Sequence, residues 1–139
     1  MNKDDLNTKL KEQFHSMEND LITGKIKNLP RVISACSASL QDPNYQWGCN
    51  HSAKQSDYDQ RFLDRIEEVF PGKSVGERSG LTPWPIGQCA EQHAANKVLK
   101  NDANAVIEDL QFSDAIKTKM PDLPFPPCAN CKTIFDQLQ

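Results

Sequence analysis

Three of the chain's five cysteines fall in two short stretches, Cys89-Ala90-Glu91 and Pro127-Cys128-Ala129-Asn130-Cys131. Each stretch reads as the start of a helix. A thiolate placed there is stabilised by unpaired backbone N–H groups and by the helix dipole, which lowers its pKa. Two such helix starts, brought together across a sheet, converge three sulfurs on one point.

Three thiolates suit zinc better than a hard cation, and three protein ligands leave a fourth position open. A fourth cysteine would close the site and argue for a structural role; three with an adjacent carboxylate argue for catalysis. Glu91 lies two residues after Cys89 and so points to another side of the first helical turn. It is close to a shared ion without being a ligand, which suits a group that moves protons. The plainer alternatives are three buried thiols that pack and a first-turn glutamate that stabilises its helix.

The rest of the chain supplies a scaffold. Leu6, Leu10, Phe14, Met17 and Leu21 share one face of a helix over residues 3–22, with Asn2 as its cap, Asp4 and Asp5 in its first turn and Gly24 as its stop. Residues 31–40 and 45–50 read as a β-hairpin around Asp42-Pro43-Asn44. The first strand, rich in small residues, reads as covered on both faces. A second helix is expected over residues 56–70, capped by Ser56 or Asp57, with Phe62, Leu63, Ile66 and Val69 inward. A third runs from Cys89 to about Lys100, its alanines giving a face for tight packing. Residues 105–117 read either as more helix or, better suited to a sheet protein, as a strand over 109–116; 121–127 read as an extended proline-rich loop and 128–139 as a closing helix.

Composition narrows the partners. A formal net charge of −3 gives no global attraction to nucleic acid or anionic membranes, and no stretch is apolar enough to span a membrane. A nucleic-acid substrate would need a local basic groove drawn from Lys97, Lys100, Lys117, Lys119 and Lys132; otherwise these are solvated faces. An odd cysteine count and a start unlike a signal peptide favour a reducing, cytoplasmic site of action. Cys36, Cys49 and Trp47 read as core residues, His15 as surface and His93 as a buried, hydrogen-bonded histidine. His51 is a candidate contact for a base or phosphate. Trp84 and Phe125, in the loops leading to the cysteine motifs, are candidates to stack on a base or to lie as a lid on the core.

The order Cys-x-Glu then Pro-Cys-x-x-Cys resembles the signature of the zinc-dependent cytidine and nucleobase deaminases. The succession of helix, hairpin, Cys-x-Glu helix, strand and second cysteine helix is similar to theirs over residues 3–139. The resemblance implies one deaminase-like domain over 1–139. Its fold would be a cytidine deaminase-like three-layer α/β/α sandwich with a small mixed sheet. Eight residues follow Cys131, so the family's later strands would be lacking. The resemblance also implies one Zn2+ ion on Cys89, Cys128 and Cys131, and Glu91 as the acid and base of a hydrolytic deamination. Cys-Ala-Glu leans toward cytosine over adenine. Asn50, after Gly48-Cys49, looks like an asparagine that touches the sugar in cytidine deaminases.

The wording of both motifs is similar to the YwqJ-like bacterial deaminases, many of them toxin domains. This implies action on single-stranded nucleic acid, delivery as part of a secreted toxin and an immunity-type protein partner. A short sheet also invites a homo-oligomer. The alternatives are an enzyme of free cytidine or its nucleotide, and an inactive binding module. In that module zinc would staple the fold, with Cys36, Cys49 or a histidine as fourth ligand.

Overall fold

The computed structural model describes residues 1–139. The amphipathic first segment forms α1, Lys3–Ile22, with the Asn2 side chain accepting the Asp5 N–H at 2.9 Å. Leu6, Leu10, Phe14 and Met17 are buried. Leu21, expected on the same face, is 38% exposed, because no helical residue after Met17 is buried.

The hairpin forms as expected from β1, Val32–Ser37, and β2, Gln46–Cys49, running antiparallel with Ile33 opposite Cys49. In its turn the Asp42 carboxylate accepts the Asn44 N–H at 2.8 Å, local chemistry that these residues favour. β1 is covered on both sides: Ile33 and Ala35 pack with α1, while Cys36 joins the larger core cluster.

The second helix starts later than expected. Residues Gln55–Asp57 form a single 3-10 turn, and α2 spans Gln60–Val69. Asp59, rather than Ser56 or Asp57, is the cap. Tyr58 is the reason: its extended backbone carries the ring into the core, where it stacks on Phe62.

α3 spans Ala90–Asn101, and nine of its twelve residues are buried. Its alanines let β2 pass directly beneath. The expected strand over 109–116 forms as two short pieces, β3 (Gln111–Phe112) and β4 (Ile116–Lys117), both antiparallel to β1. Phe112 faces Cys36 and Ile116 faces Ile33, so three edge residues oppose two of β1. This is a β-bulge. The Ser113 hydroxyl accepts the Ala35 N–H at 2.9 Å, and Ser113 N–H donates to Ala35 O at 3.0 Å.

The sheet is wholly antiparallel, not mixed as the family resemblance implies. β2 and the β3–β4 edge run in one direction, but β1 lies between them, so no parallel pair ever touches. The last segment is also not one helix. α4 spans Ala129–Ile134 and ends at Phe135, whose extended backbone seats its ring against Phe112; a 3-10 turn, Asp136–Leu138, follows.

The molecule is thus α/β, with α1 on one face of a small four-stranded antiparallel sheet and α2, α3 and α4 sharing the core of the other. No helix is long and apolar enough to cross a membrane.

Candidate metal centre and its pocket

The approach to Cys89 is pinned from two sides. Gly87 has φ +90°, and a Cβ there would meet the Val75 side chain at 2.6 Å, so only glycine fits. Its N–H donates to Gln92 Oε1 and its carbonyl accepts the Tyr58 hydroxyl, each at 2.7 Å. Gln92, fully buried, also turns its Nε2 toward Cys131 Sγ at 3.4 Å. One glutamine therefore ties the loop ahead of one cysteine to the sulfur of another.

Cys89 caps α3 and Cys128 caps α4, both with extended backbones, and Cys131 lies buried in the first turn of α4. The sulfurs of Cys89 and Cys128 stand 3.1 Å apart and those of Cys128 and Cys131 3.6 Å apart; all three lie within 4.8 Å of one another. Sulfurs on a tetrahedral zinc, each bonded at about 2.3 Å, would be separated by about 3.8 Å. The three therefore fit around one metal ion after shifts of a few tenths of an ångström to about an ångström.

The electrostatics suit a cation too. Contacts with the Cys131 and Cys89 sulfurs, and then the backbone at Cys131 and Asn130, hold Cys128 down to about 3. Cys131 is pushed up chiefly by its contacts with the Cys128 and Cys89 sulfurs, and burial adds to this. Negative charge is thus favoured at the helix start, with the remaining thiols turned toward it.

Glu91, only 5% exposed, is pushed up to about 7, first by burial and then by the charge of Cys128; its own N–H opposes the rise. A carboxyl at that value populates both protonation forms near neutrality, the condition for giving and taking protons. It lines a pocket of about 300 Å³ together with Cys89, Cys128, Asn50, Trp84 and Phe125. A larger groove of about 700 Å³, between α1, the bulged edge and the proline-rich segment, also reaches Glu91.

The structure thus brings together Cys89, Glu91, Cys128, Asn50, Trp84 and Phe125, with Cys131 buried beside the other sulfurs. Asn50 uses its Oδ1 on the Val32 N–H at 3.0 Å, leaving its Nδ2 as a free donor. His51 is not part of the pocket. It is exposed and stacks on His93 with ring centroids 3.6 Å apart, while its carbonyl accepts a bond from His93 Nε2 at 2.8 Å. His93 is the buried, hydrogen-bonded histidine expected. Cys36 and Cys49 stay outside the sulfur cluster, and Trp47 packs half-buried on the α1 side.

The five lysines are not gathered into a groove at the pocket. Of the five lysines only Lys117 lines the pocket; Lys97 bonds the Trp47 carbonyl, and Lys100, Lys119 and Lys132 are exposed. Sequence reasoning missed Arg31, which lines the pocket, and Gln92 and Asn130. Asn130 is fully buried, accepts from the Ser79 hydroxyl and donates to the Trp84 carbonyl at 3.2 Å, so it holds the Trp84 loop onto α4. A glutamine or asparagine inside a helical pattern carries no signal of burial; the Asn between the paired cysteines was visible, but its reach to residues 79–84 was not. Compared with protein-family models, curated proteins and solved structures, the chain gives no match.

Proposed function

We propose that this chain is a metal-dependent hydrolase that deaminates a nucleobase, cytosine in preference to adenine, within single-stranded nucleic acid, in the manner of bacterial toxin-type deaminases. The observation that carries this reading is the meeting of three sulfurs from two helix starts with a buried carboxyl at the floor of one pocket. Helices on both faces of a sheet, in the order helix, hairpin, second helix, Cys-x-Glu helix, edge strand and cysteine helix, support a cytidine deaminase-like fold.

Cys89, Cys128 and Cys131 would hold the metal, and the all-sulfur donor set favours zinc. Bound there, zinc supplies a Lewis acid that lowers the pKa of water toward neutrality. Glu91 takes one proton from the attacking water and gives it to the ring nitrogen, then carries the second, from the hydroxyl now on the attacked carbon, to the amino group, which leaves as ammonia. Trp84 and Phe125 offer aromatic faces to the base. Asn50 Nδ2 offers a donor to a substrate oxygen.

A zinc that only staples the fold calls for a fourth protein ligand. Cys36, Cys49 and all three histidines lie outside the cluster, so no residue here favours that reading.

Metal analysis joined to a variant comparison tests the proposal. The wild-type chain and Glu91→Ala should each carry one zinc, while Glu91→Ala loses roughly 10²- to 10⁴-fold in uracil formation from single-stranded DNA or RNA. Full activity in Glu91→Ala, or no product from wild type on any cytosine- or adenine-containing substrate, sinks it.

A further inference from the structure

The pocket carries positive charge that the chemistry at its floor does not require. Arg31 and Lys117 both line it. Lys117 pairs with Val32, and Arg31, just before β1, gives its carbonyl to the Thr118 N–H at 3.0 Å; both residues line the pocket. Without the extra edge residue, side chains beyond the bulge would exchange faces of the sheet. Ile116 would then leave the α1 side, where it packs, and Lys117 would leave the pocket.

Neither cation is neutralised. The ion pairs of the molecule engage other residues. Lys117 Nζ rests 5.6 Å from the centre of the Phe125 ring. Glu91 is the one carboxyl among the lining residues, and it lies buried at the floor, whereas Arg31 is exposed and Lys117 half-buried. Asn50 adds only a donor, since its oxygen is committed to Val32. The outer pocket therefore offers donors and positive charge, in a chain whose net charge is −3. An acceptor-rich anion is the complement of such a set. A planar guanidinium beside a compact ammonium suits phosphate oxygens.

We propose that Arg31 and Lys117 form a phosphate subsite at the mouth of the Glu91 pocket, so that the substrate is a nucleotide or a strand rather than a free base or nucleoside. This rests on the nucleobase reading given above. The same phosphate chemistry is available from the terminal group of a mononucleotide or from a phosphodiester.

The test measures binding to the zinc-loaded full chain carrying Glu91→Ala, which does not turn substrate over. The probes are cytidine, cytidine 5′-monophosphate, a short single-stranded oligonucleotide containing one cytosine, and inorganic pyrophosphate. The monophosphate or the oligonucleotide should bind at least about tenfold more tightly than cytidine. Arg31→Gln with Lys117→Gln should close that gap, and Lys117→Arg should keep it. Tighter monophosphate binding assigns the subsite to a terminal phosphate; tighter oligonucleotide binding assigns it to a phosphodiester.

Equal binding of cytidine and both phosphorylated probes overturns the proposal, as does a gap that survives the double substitution in a chain that still melts cooperatively. Pyrophosphate separates the two readings. Pyrophosphate binding that depends on Arg31 and Lys117, without deamination by the wild type, keeps the subsite and removes the nucleobase reading. Deamination of cytidine and its phosphorylated forms with equal kcat/KM does the reverse.

Discussion

A Cβ built on Gly48 comes within 2.5 Å of the Ala94 backbone nitrogen and 2.9 Å of the His93 carbonyl carbon, so β2 and α3 touch backbone to backbone. Nothing flexible stands there to yield. Gly48→Ala must lift α3 from the sheet, at a cost of about 1–3 kcal/mol in urea unfolding. Because α3 begins at Cys89 and carries Glu91, the same change should weaken zinc binding in a competition assay. Unchanged stability and unchanged zinc affinity would show that α3 is not held by this contact. Cys89 with Glu91, and Cys128 with Cys131, were legible as pairs because each spacing is local; the resemblance to the deaminase signature joined the two pairs. Gln92 and Arg31 were not, because their partners lie in distant segments.

Elements begin and end where side chains find partners. The stretch before α2 offers Ser56, Asp57 and Asp59 as caps, and propensity alone does not choose among them. Tyr58 decides, because its ring must reach Phe62 and its hydroxyl the Gly87 carbonyl, which forces extended backbone just before Asp59. The Asp59 carboxylate then accepts the Arg61 N–H and Nε at 2.9 Å, and the Arg61 guanidinium goes on to the carbonyls of Asp102 and Ala105 past the end of α3. The side-chain bond from Arg61 holds the Asp59 carboxyl below its ordinary value. Asp59→Ala should cost about 1–2 kcal/mol in urea unfolding, through the lost cap and the freed arginine. Its destabilising effect should shrink as the pH falls through the Asp59 pKa, since protonation already removes the ion pair from the wild type. A loss that is the same at all pH values would assign the effect to something other than the charge.

At the scale of the whole molecule, His93 joins the hairpin side to the helices, between the His51 ring and Tyr58. Burial first, then the neighbouring charges of His51 and Lys97, lowers its pKa to about 4, against the bond to the His51 carbonyl and the charge of Asp57. The unfolded chain takes up this proton near pH 6.5 and the folded chain only near 4, so protonation favours unfolding between those values. Stability from this group is complete above about pH 6.5, falls as the pH drops toward 4 and is level below, a change on the order of 3 kcal/mol. In urea titrations at stepped pH, His93→Gln should flatten that slope relative to wild type. A slope unaltered by the substitution would remove His93 as its source.

Local pattern determined α1, the hairpin, the α3 face of small residues and the two cysteine helix starts, because a helical stripe, a turn or a cap is settled within a few residues. Tertiary structure alone decided the rest. The edge strand splits around Ser113, and α4 stops at Phe135, because each must satisfy partners in distant segments of the chain. The sheet is antiparallel because β1 occupies its centre. Lys117 lines the pocket because a bulge shifts the register by one residue, and a shift of one residue decides which face of a sheet a side chain occupies.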